Sequence, residues 1–315
     1  MIRLGTRGSA LALAQARWVA DRLPGEVELV PIRTSGDESP RLKGSDPLSA
    51  RDSRGLTPPG DKARFVKEIE EALLAGEIDV AVHSAKDVPA HFPEGLLLSS
   101  VGERADARDA ICGARKLDDL PEGSVVGTSS LRRRALLLSL RPDLDVRDLR
   151  GNVDTRLSRL AEGDFDAIVL AQAGLDRLGR GDEGSPLDPD EFVPAAGQGC
   201  LAAQTRDADE PAPQAVFGLR EFETDICLVE ERNVVRLLGA TCNTPIGVHA
   251  TGHEGGSLRL TAFVGLPDGS RWIRDELEMP FLDAAGLISY NVAERLRGAG
   301  ADELLEEAER LVAAG

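Results

Sequence analysis

Apolar residues alternate at the very start of the chain and then shift to helical spacing, and the same order returns near residue 125. The pattern predicts a strand over Ile2 to Thr6, a Gly8-Ser9 turn and a helix over Ala10 to Leu23. It then predicts a strand over Val125 to Gly127, the polar turn Thr128-Ser129-Ser130 and a helix ending at Leu140, just before Pro142, which cannot continue it. Each unit is followed by a second match, Gly76-Glu77-Ile78-Asp79-Val80-Ala81-Val82 and Gly163-Asp164-Phe165-Asp166-Ala167-Ile168-Val169. Both have the form of a helix end, a tight turn and a strand apolar on both faces, as parallel sheets require. The expectation is an α/β fold with two similar lobes.

Two stretches look like passages between the lobes: the charged, Gly-containing run from Val101 to Asp109, and the Pro/Gly-rich run from Val193 to Gly199. Two chain crossings imply a hinged cleft, and open α/β sheets bind ligands at the strand ends facing such a crevice. After Phe222 the pattern changes to a helix over Glu223 to Leu238, a Gly239-Ala240-Thr241-Cys242-Asn243 loop, alternating strands around Val248 and over Leu258 to Val264, and a final amphipathic helix near residues 283 to 298. The expected division is residues 1–101 with 200–220 as the first lobe, 102–199 as the second, and 221–315 as a small α+β domain. Residues Ser35 to Asp61 carry Ser, Gly, Pro and charge without periodicity, which suits either a lid or a disordered loop.

Length and charge narrow the function classes. At 315 residues and 42% hydrophobic content the chain can bury two or three cores. No apolar run approaches a membrane span, and the N-terminus lacks signal-peptide features, so a cytoplasmic location is expected. The net charge of −17 disfavours nucleic acid and anionic membranes as partners. Its surplus of Asp and Glu, which a preference for Arg over Lys does not explain, points to a halophilic surface, for which molar KCl should raise the melting temperature. The four cysteines, Cys112, Cys200, Cys227 and Cys242, form no Cys-x-x-Cys pair, so reduced thiols and no metal site are expected.

Arginines cluster where the cleft should be. Arg7 lies in the first turn, Arg132 and Arg133 open the second-lobe helix, Arg150 and Arg156 flank Gly151-Asn152, and Arg177 follows the strand ending near Leu170. Singly, any of them could be a solvated partner of Asp or Glu. Together they suit several carboxylates, because guanidinium forks bind carboxylates at about 1.5–3 kcal/mol per charged hydrogen bond. In His83-Ser84-Ala85-Lys86-Asp87-Val88-Pro89, directly after a buried strand, Asp87 would be a carboxylate among cations, able to stabilise developing positive charge or move protons. His83, on the opposite strand face from Ser84, is expected to be packed rather than catalytic. Cys112, Cys200 and Cys227 sit among apolar neighbours, whereas Cys242 occupies a Gly/Thr/Asn loop and could be reachable.

These residues lie within motifs spread along the whole chain: TRGSALALAQA (from Thr6), FVKEIEEALLAGEIDVAVHSAKDVP (from Phe65), VVGTSSLRRRALL (from Val125), LRGNVDTRLSRL (from Leu149), DAIVLAQAGLDRLG (from Asp166), PAAGQGCLA (from Pro194) and GATCNTPIG (from Gly239). In them the chain resembles the porphobilinogen deaminase (hydroxymethylbilane synthase) family. The resemblance implies two periplasmic-binding-protein-like lobes plus a third domain, a monomer, and a transferase that condenses four porphobilinogen molecules head to tail with loss of ammonia. It also implies a dipyrromethane cofactor held as a thioether on Cys242. Asp87 would be the catalytic carboxylate, stabilising an azafulvene cation and deprotonating the joined ring. Cofactor contacts would come from Ser84, Lys86, Thr128, Ser129, Ser130, Arg132, Arg133 and Arg150, and substrate contacts from Arg7, Ser9, Gln15, Lys62, Arg156 and Arg177. Many relatives have a lysine where Pro58 stands, and the loop from Asp37 to Thr57 is longer and more charged than usual. Rival classes are a two-lobed carboxylate-binding protein, which needs neither Asp87 nor Cys242, and a ligand-sensing domain of a transcription factor, which would need a DNA-binding helix pair.

Overall fold

The computed structural model describes residues 1–34, 66–208, 211–241, 244–253 and 256–314. In chain order the first region contains β1 (Ile2–Arg7), α1 (Ala10–Ala20), β2 (Val27–Ile32), α2 (Lys67–Leu74), β3 (Val80–Ser84) and β4 (Leu96–Val101). Then come β5 (Asp109–Cys112), β6 (Val125–Gly127), α3 (Leu131–Leu140), β7 (Asp145–Arg147), α4 (Val153–Ala161), β8 (Ala167–Ala171), α5 (Gln172–Arg177) and β9 (Ser185–Pro186). The chain continues through β10 (Leu201–Arg206) and α6 (Pro211–Phe217) to α7 (Phe222–Leu237), β11 (Ile246–His253), β12 (Ser257–Gly265), β13 (Trp272–Pro280), α8 (Phe281–Ala284), α9 (Leu287–Gly298) and α10 (Ala301–Ala314).

Two five-stranded sheets form, in the orders β2-β1-β3-β10-β4 and β7-β6-β8-β5-β9. In each, three parallel strands are flanked by one running against them: β10 against β3 in the first, β5 against β8 in the second. The two sheets therefore share one plan, with β1, β2, β3 and β10 matching β6, β7, β8 and β5. The central strands are buried along their length, Val80 to Val82 in one sheet and Ala167 to Leu170 in the other, as expected of strands covered by helices on both faces.

The chain passes from the first sheet to the second between β4 and β5, and returns between β9 and β10. The two passages touch. Gly199, with φ of 87°, leaves room for its neighbour, since a Cβ there would lie 2.3 Å from the Ala105 carbonyl oxygen; only glycine fits both the space and the dihedral.

The third region is a three-stranded antiparallel sheet, β11-β12-β13, whose apolar face packs with α7, α9 and α10 around Val234, Leu258, Leu260, Ile288, Val292 and Leu304. It leans on both lobes. Phe263 enters the core of the second lobe, while Leu228 of α7 packs with Ala85, Cys200 and Ala202 of the first.

Most predicted elements appear near their expected bounds, β6 and the end of α3 among them, with three corrections. The first helix stops at Ala20 instead of Leu23. The final helix predicted near 283 to 298 is two helices, α8 and α9, and a further one, α10, follows. Strand β13 is the third departure: its side chains alternate between exposed and half-buried, but Asp275 stands among the half-buried Ile273, Leu277 and Met279 and interrupts the apolar period.

Candidate active site

The turn after β3 carries the carboxylate singled out by the sequence. Residues Ala85–Asp87 form one 3₁₀ turn, held from behind at three points. The Ala85 N–H donates to the Cys200 carbonyl at 3.1 Å, and the guanidinium of Arg232, on α7, donates to the carbonyls of Val88 and Pro89 at 2.9 and 2.7 Å. Ala85 is buried while Lys86 and Asp87 are half-buried, so the fixed backbone leaves two charged side chains at the sheet edge.

Around that turn the first lobe adds Gln15, buried in α1, whose amide donates to Ser84 Oγ at 3.0 Å. Arg7 ends β1, and both it and Asp87 act electrostatically on His83. Ser9 is the N-cap of α1, its hydroxyl accepting from the Ala12 N–H at 3.3 Å, a local duty that sequence alone suggests for any residue in that place. His83 is packed, as expected, and its Nε2 has no hydrogen-bond partner among the described residues. Burial pushes its pKa down to about 4.

The second lobe supplies cations in two different states. Arg132 and Arg133, in the first turn of α3, were expected to stand ready for a ligand carboxylate, but a carboxylate of the chain itself engages both. Asp109, wholly buried at the start of β5, accepts from Arg132 Nη1 at 2.7 Å and from Arg133 Nε at 2.9 Å. The same guanidiniums donate to the carbonyls of Val193 and Val169, each at 2.7 Å. Two guanidiniums this deeply buried require a counter-ion, since an unpaired buried charge is strongly unfavourable. Burial alone would raise the Asp109 pKa, yet Arg132 and Arg133 outweigh it and hold the carboxyl well below the usual carboxylate range.

Arg156, on α4, is in the other state. Its Nε donates to the Gly151 carbonyl at 2.8 Å. Crowding by the protein, with Arg133 and Arg150 nearby, lowers its pKa to about 10, opposed by the charge of Asp87. Arg150 is exposed just after β7. Arg177 ends α5, donates to the Gly199 carbonyl at 2.7 Å, and has its pKa lowered by burial. In the turn before α3, Thr128 is buried and its hydroxyl accepts from the Ser130 N–H at 3.2 Å, Ser129 is half-buried, and Ser130 caps the helix.

Lys62 and Cys242, together with the whole Ser35 to Asp61 loop, lie outside the described residues. On one side of Cys242, Thr241 donates its N–H to Thr244 Oγ1 at 2.9 Å, and that hydroxyl returns a bond to the Thr241 carbonyl. The other three cysteines are buried, and burial raises each thiol pKa, to about 11 for Cys112 and Cys200 and about 12 for Cys227, which keeps them as unreactive thiols.

Two groups escaped the sequence reading. Asp109 precedes the apolar run Ala110-Ile111-Cys112, and Gln198 lies within PAAGQGCLA. Gln198 donates to Asp109 Oδ1 at 3.1 Å and to the Ala107 carbonyl at 2.8 Å, while its carbonyl oxygen accepts from Lys86 Nζ at 3.1 Å. A polar residue at the start of a buried strand was the available signal for Asp109; nothing local marked Gln198. The resulting cluster, Arg150, Arg156, Arg177 and Lys86 together with the Asp109-paired Arg132 and Arg133, is a donor set suited to a ligand bearing several carboxylates.

Comparison with known proteins agrees with that chemistry. Residues 2–214 match the family described as "Porphobilinogen deaminase, dipyromethane cofactor binding domain", and residues 226–298 match "Porphobilinogen deaminase, C-terminal domain". A protein of Thermus thermophilus named porphobilinogen deaminase is 45% identical over 98% of this chain and 99% of its own length. One of Deinococcus radiodurans with the same name is 44% identical over 97% and 98%. Among solved structures, an ABC transporter from Parabacteroides distasonis overlaps 69% of this chain and 70% of its own, at 14% identity and a TM-score of 0.41, a likeness too loose to bear on function.

Proposed function

The chain belongs to the porphobilinogen deaminase family, and from that premise we propose how its residues divide the work. The family's reaction joins four porphobilinogen molecules head to tail, releasing ammonia at each step and finally hydroxymethylbilane, in porphyrin and haem biosynthesis. When bound, the dipyrromethane cofactor supplies the pyrrole to which the first substrate is joined.

Asp87 is the reacting carboxylate. The placement of Asp87 carries this assignment: it sits half-buried beside Lys86 at the end of β3, on a turn whose backbone is pinned by the Cys200 carbonyl and by Arg232, among the cations that would hold the substrate's own acids. As the substrate's C–N bond breaks and ammonia departs, Asp87 faces the positive charge left on the methylene carbon. After the new C–C bond forms, the same carboxylate is placed to accept the proton shed by the joined ring. Arg150, Lys86, Ser84, Thr128, Ser129 and Ser130 would hold the cofactor's acetate and propionate groups, with Arg132 and Arg133 adding only the N–H groups that Asp109, Val193 and Val169 leave open. Arg7, Ser9, Gln15, Lys62, Arg156 and Arg177 would hold the incoming substrate. Cys242 carries the thioether.

Residues 1–101 with 200–220, 102–199 and 221–315 act as three units, with the cleft between the first two. Among the described residues no helix is long and apolar enough to cross a membrane. A monomeric cytosolic enzyme with an acidic surface suited to concentrated salt accords with the charge of −17. Asp87→Asn tests the central role: the variant should fold and keep its cofactor while kcat falls about 10²–10⁴-fold, the range for loss of a general acid–base group. Turnover within a few-fold of the parent chain would remove Asp87 from that role.

A further inference from the structure

Gln198 is almost fully buried where the two passages between the lobes meet. Its amide orientation is fixed by its partners. The Lys86 ammonium can only donate, so it faces Oε1, and the Ala107 carbonyl and Asp109 carboxylate can only accept, so they face Nε2. The backbone around it is pinned too: its carbonyl accepts from Arg104 Nε at 2.9 Å, and the N–H of Gly197 donates to the buried Glu231 at 2.6 Å. One side chain therefore links the turn that carries Asp87, the first passage, and the counter-ion of Arg132 and Arg133.

We propose that Gln198 is a positioning residue for the condensation, holding the Lys86 ammonium at the hinge beside Asp87 while the lobes adjust to a lengthening chain. Gln198 sits on the second passage and bonds to Ala107 of the first, so its amide is anchored to both passages between the lobes. Lys86 anchored there keeps its place next to Asp87, while Asp109, on the same amide, keeps Arg132 and Arg133 in register with it. The proposal rests on the assignment of Lys86 and Asp87 to the reacting end of the cleft.

The test is a double-mutant cycle in the full-length, cofactor-loaded enzyme, with Gln198→Met, Lys86→Gln and both together. Intact mass gives the loaded fraction and the number of added pyrroles, and urea unfolding gives stability. Gln198→Met should lower kcat per loaded chain about 10–100-fold, the loss expected of a charged hydrogen bond, leave KM within about threefold, and leave chains stalled with fewer added pyrroles. In the Lys86→Gln background the same substitution should cost less than about twofold, because residues acting through one another are not additive. Equal losses in both backgrounds, or a loss that merely follows the unfolded or unloaded fraction, would overturn the proposal while leaving Lys86 in the site. Unchanged turnover in Lys86→Gln alone would instead remove Lys86 from the site, and Gln198's role with it. Should Gln198→Met fail to fold, Gln198→Asn is the second variant, whose shorter amide cannot span Lys86, Ala107 and Asp109 together. Its turnover per loaded chain should fall about tenfold or more with KM within about threefold, and turnover equal to the parent would overturn the proposal.

Discussion

The two lobes share a strand plan yet place charge in opposite ways. In the first, Leu201 of β10 pairs with Ser84 and Ala202 with His83; in the second, Asp109 of β5 pairs with Ala171 and Ala110 with Leu170. At matching positions the first lobe thus buries a leucine and a histidine, and the second an aspartate and a leucine. Just beyond the matching strands, Lys86-Asp87 in one lobe corresponds to Ala173-Gly174 in the other. The second lobe uses its buried acid to hold two arginines, whereas the first keeps its acid at the edge, where a reacting group could meet it. A shared fold therefore leaves the chemistry to a few exchanged side chains.

The largest break in this comparison should come from Asp109→Leu, which makes the second lobe like the first at that strand. Leaving Arg132 and Arg133 buried without their counter-ion should lower unfolding free energy by about 3–5 kcal/mol, read from urea unfolding. A loss below about 1 kcal/mol would mean the arginines find water or another partner instead.

His83→Leu makes the opposite exchange and concerns pH. Burial holds the folded-state pKa of His83 near 4, against 6.5 for the unfolded group. Above about pH 6.5 both states are neutral and stability is unaffected. As pH falls towards 4 the unfolded chain takes up a proton that the folded chain refuses, so stability declines by up to about 1.4 kcal/mol per pH unit, roughly 3 kcal/mol in all. Unfolding free energies of both chains at pH 7 and pH 4.5 check this: the variant should show the smaller decline, and parallel declines would place the acid sensitivity elsewhere.

Arg156→Gln sharpens the division between held and available cations. It removes a guanidinium whose charge is opposed by burial and by Arg133, so folding should change little. Meanwhile kcat/KM for porphobilinogen should fall about 10–100-fold, the value of a lost charged hydrogen bond or two. Unchanged kinetics would take Arg156 out of the ligand site.

Much of this was legible from residue order. Strand β6 and helix α3 follow from an apolar run, a polar turn and a proline stop, and the repeated unit gave away the two lobes. The cleft arginines and Asp87 could be named because strand ends in such sheets face the ligand. What escaped depends on contacts between distant residues: Asp109 lies 23 positions from Arg132, and Gln198 lies 112 from Lys86. Sequence shows an arginine but not whether the fold already supplies its partner. For the same reason Arg132 and Arg133 looked like Arg156 in the sequence and differ from it in space. Strand β13 escaped for a local reason, since Asp275 interrupts its half-buried apolar face, whereas α10 carries Ala301, Leu304, Leu305 and Ala308 at helical spacing and was legible in the sequence.

The account turns on a cleft that builds a polyanion on a tethered primer, and intact-protein mass under denaturing conditions tests that most directly. The purified chain should carry an excess of two linked pyrrole units, gain further pyrrole increments when porphobilinogen is added, and show neither in the Cys242→Ala variant. A chain that shows no adduct even after porphobilinogen is added, or a variant that carries the same excess, would contradict it.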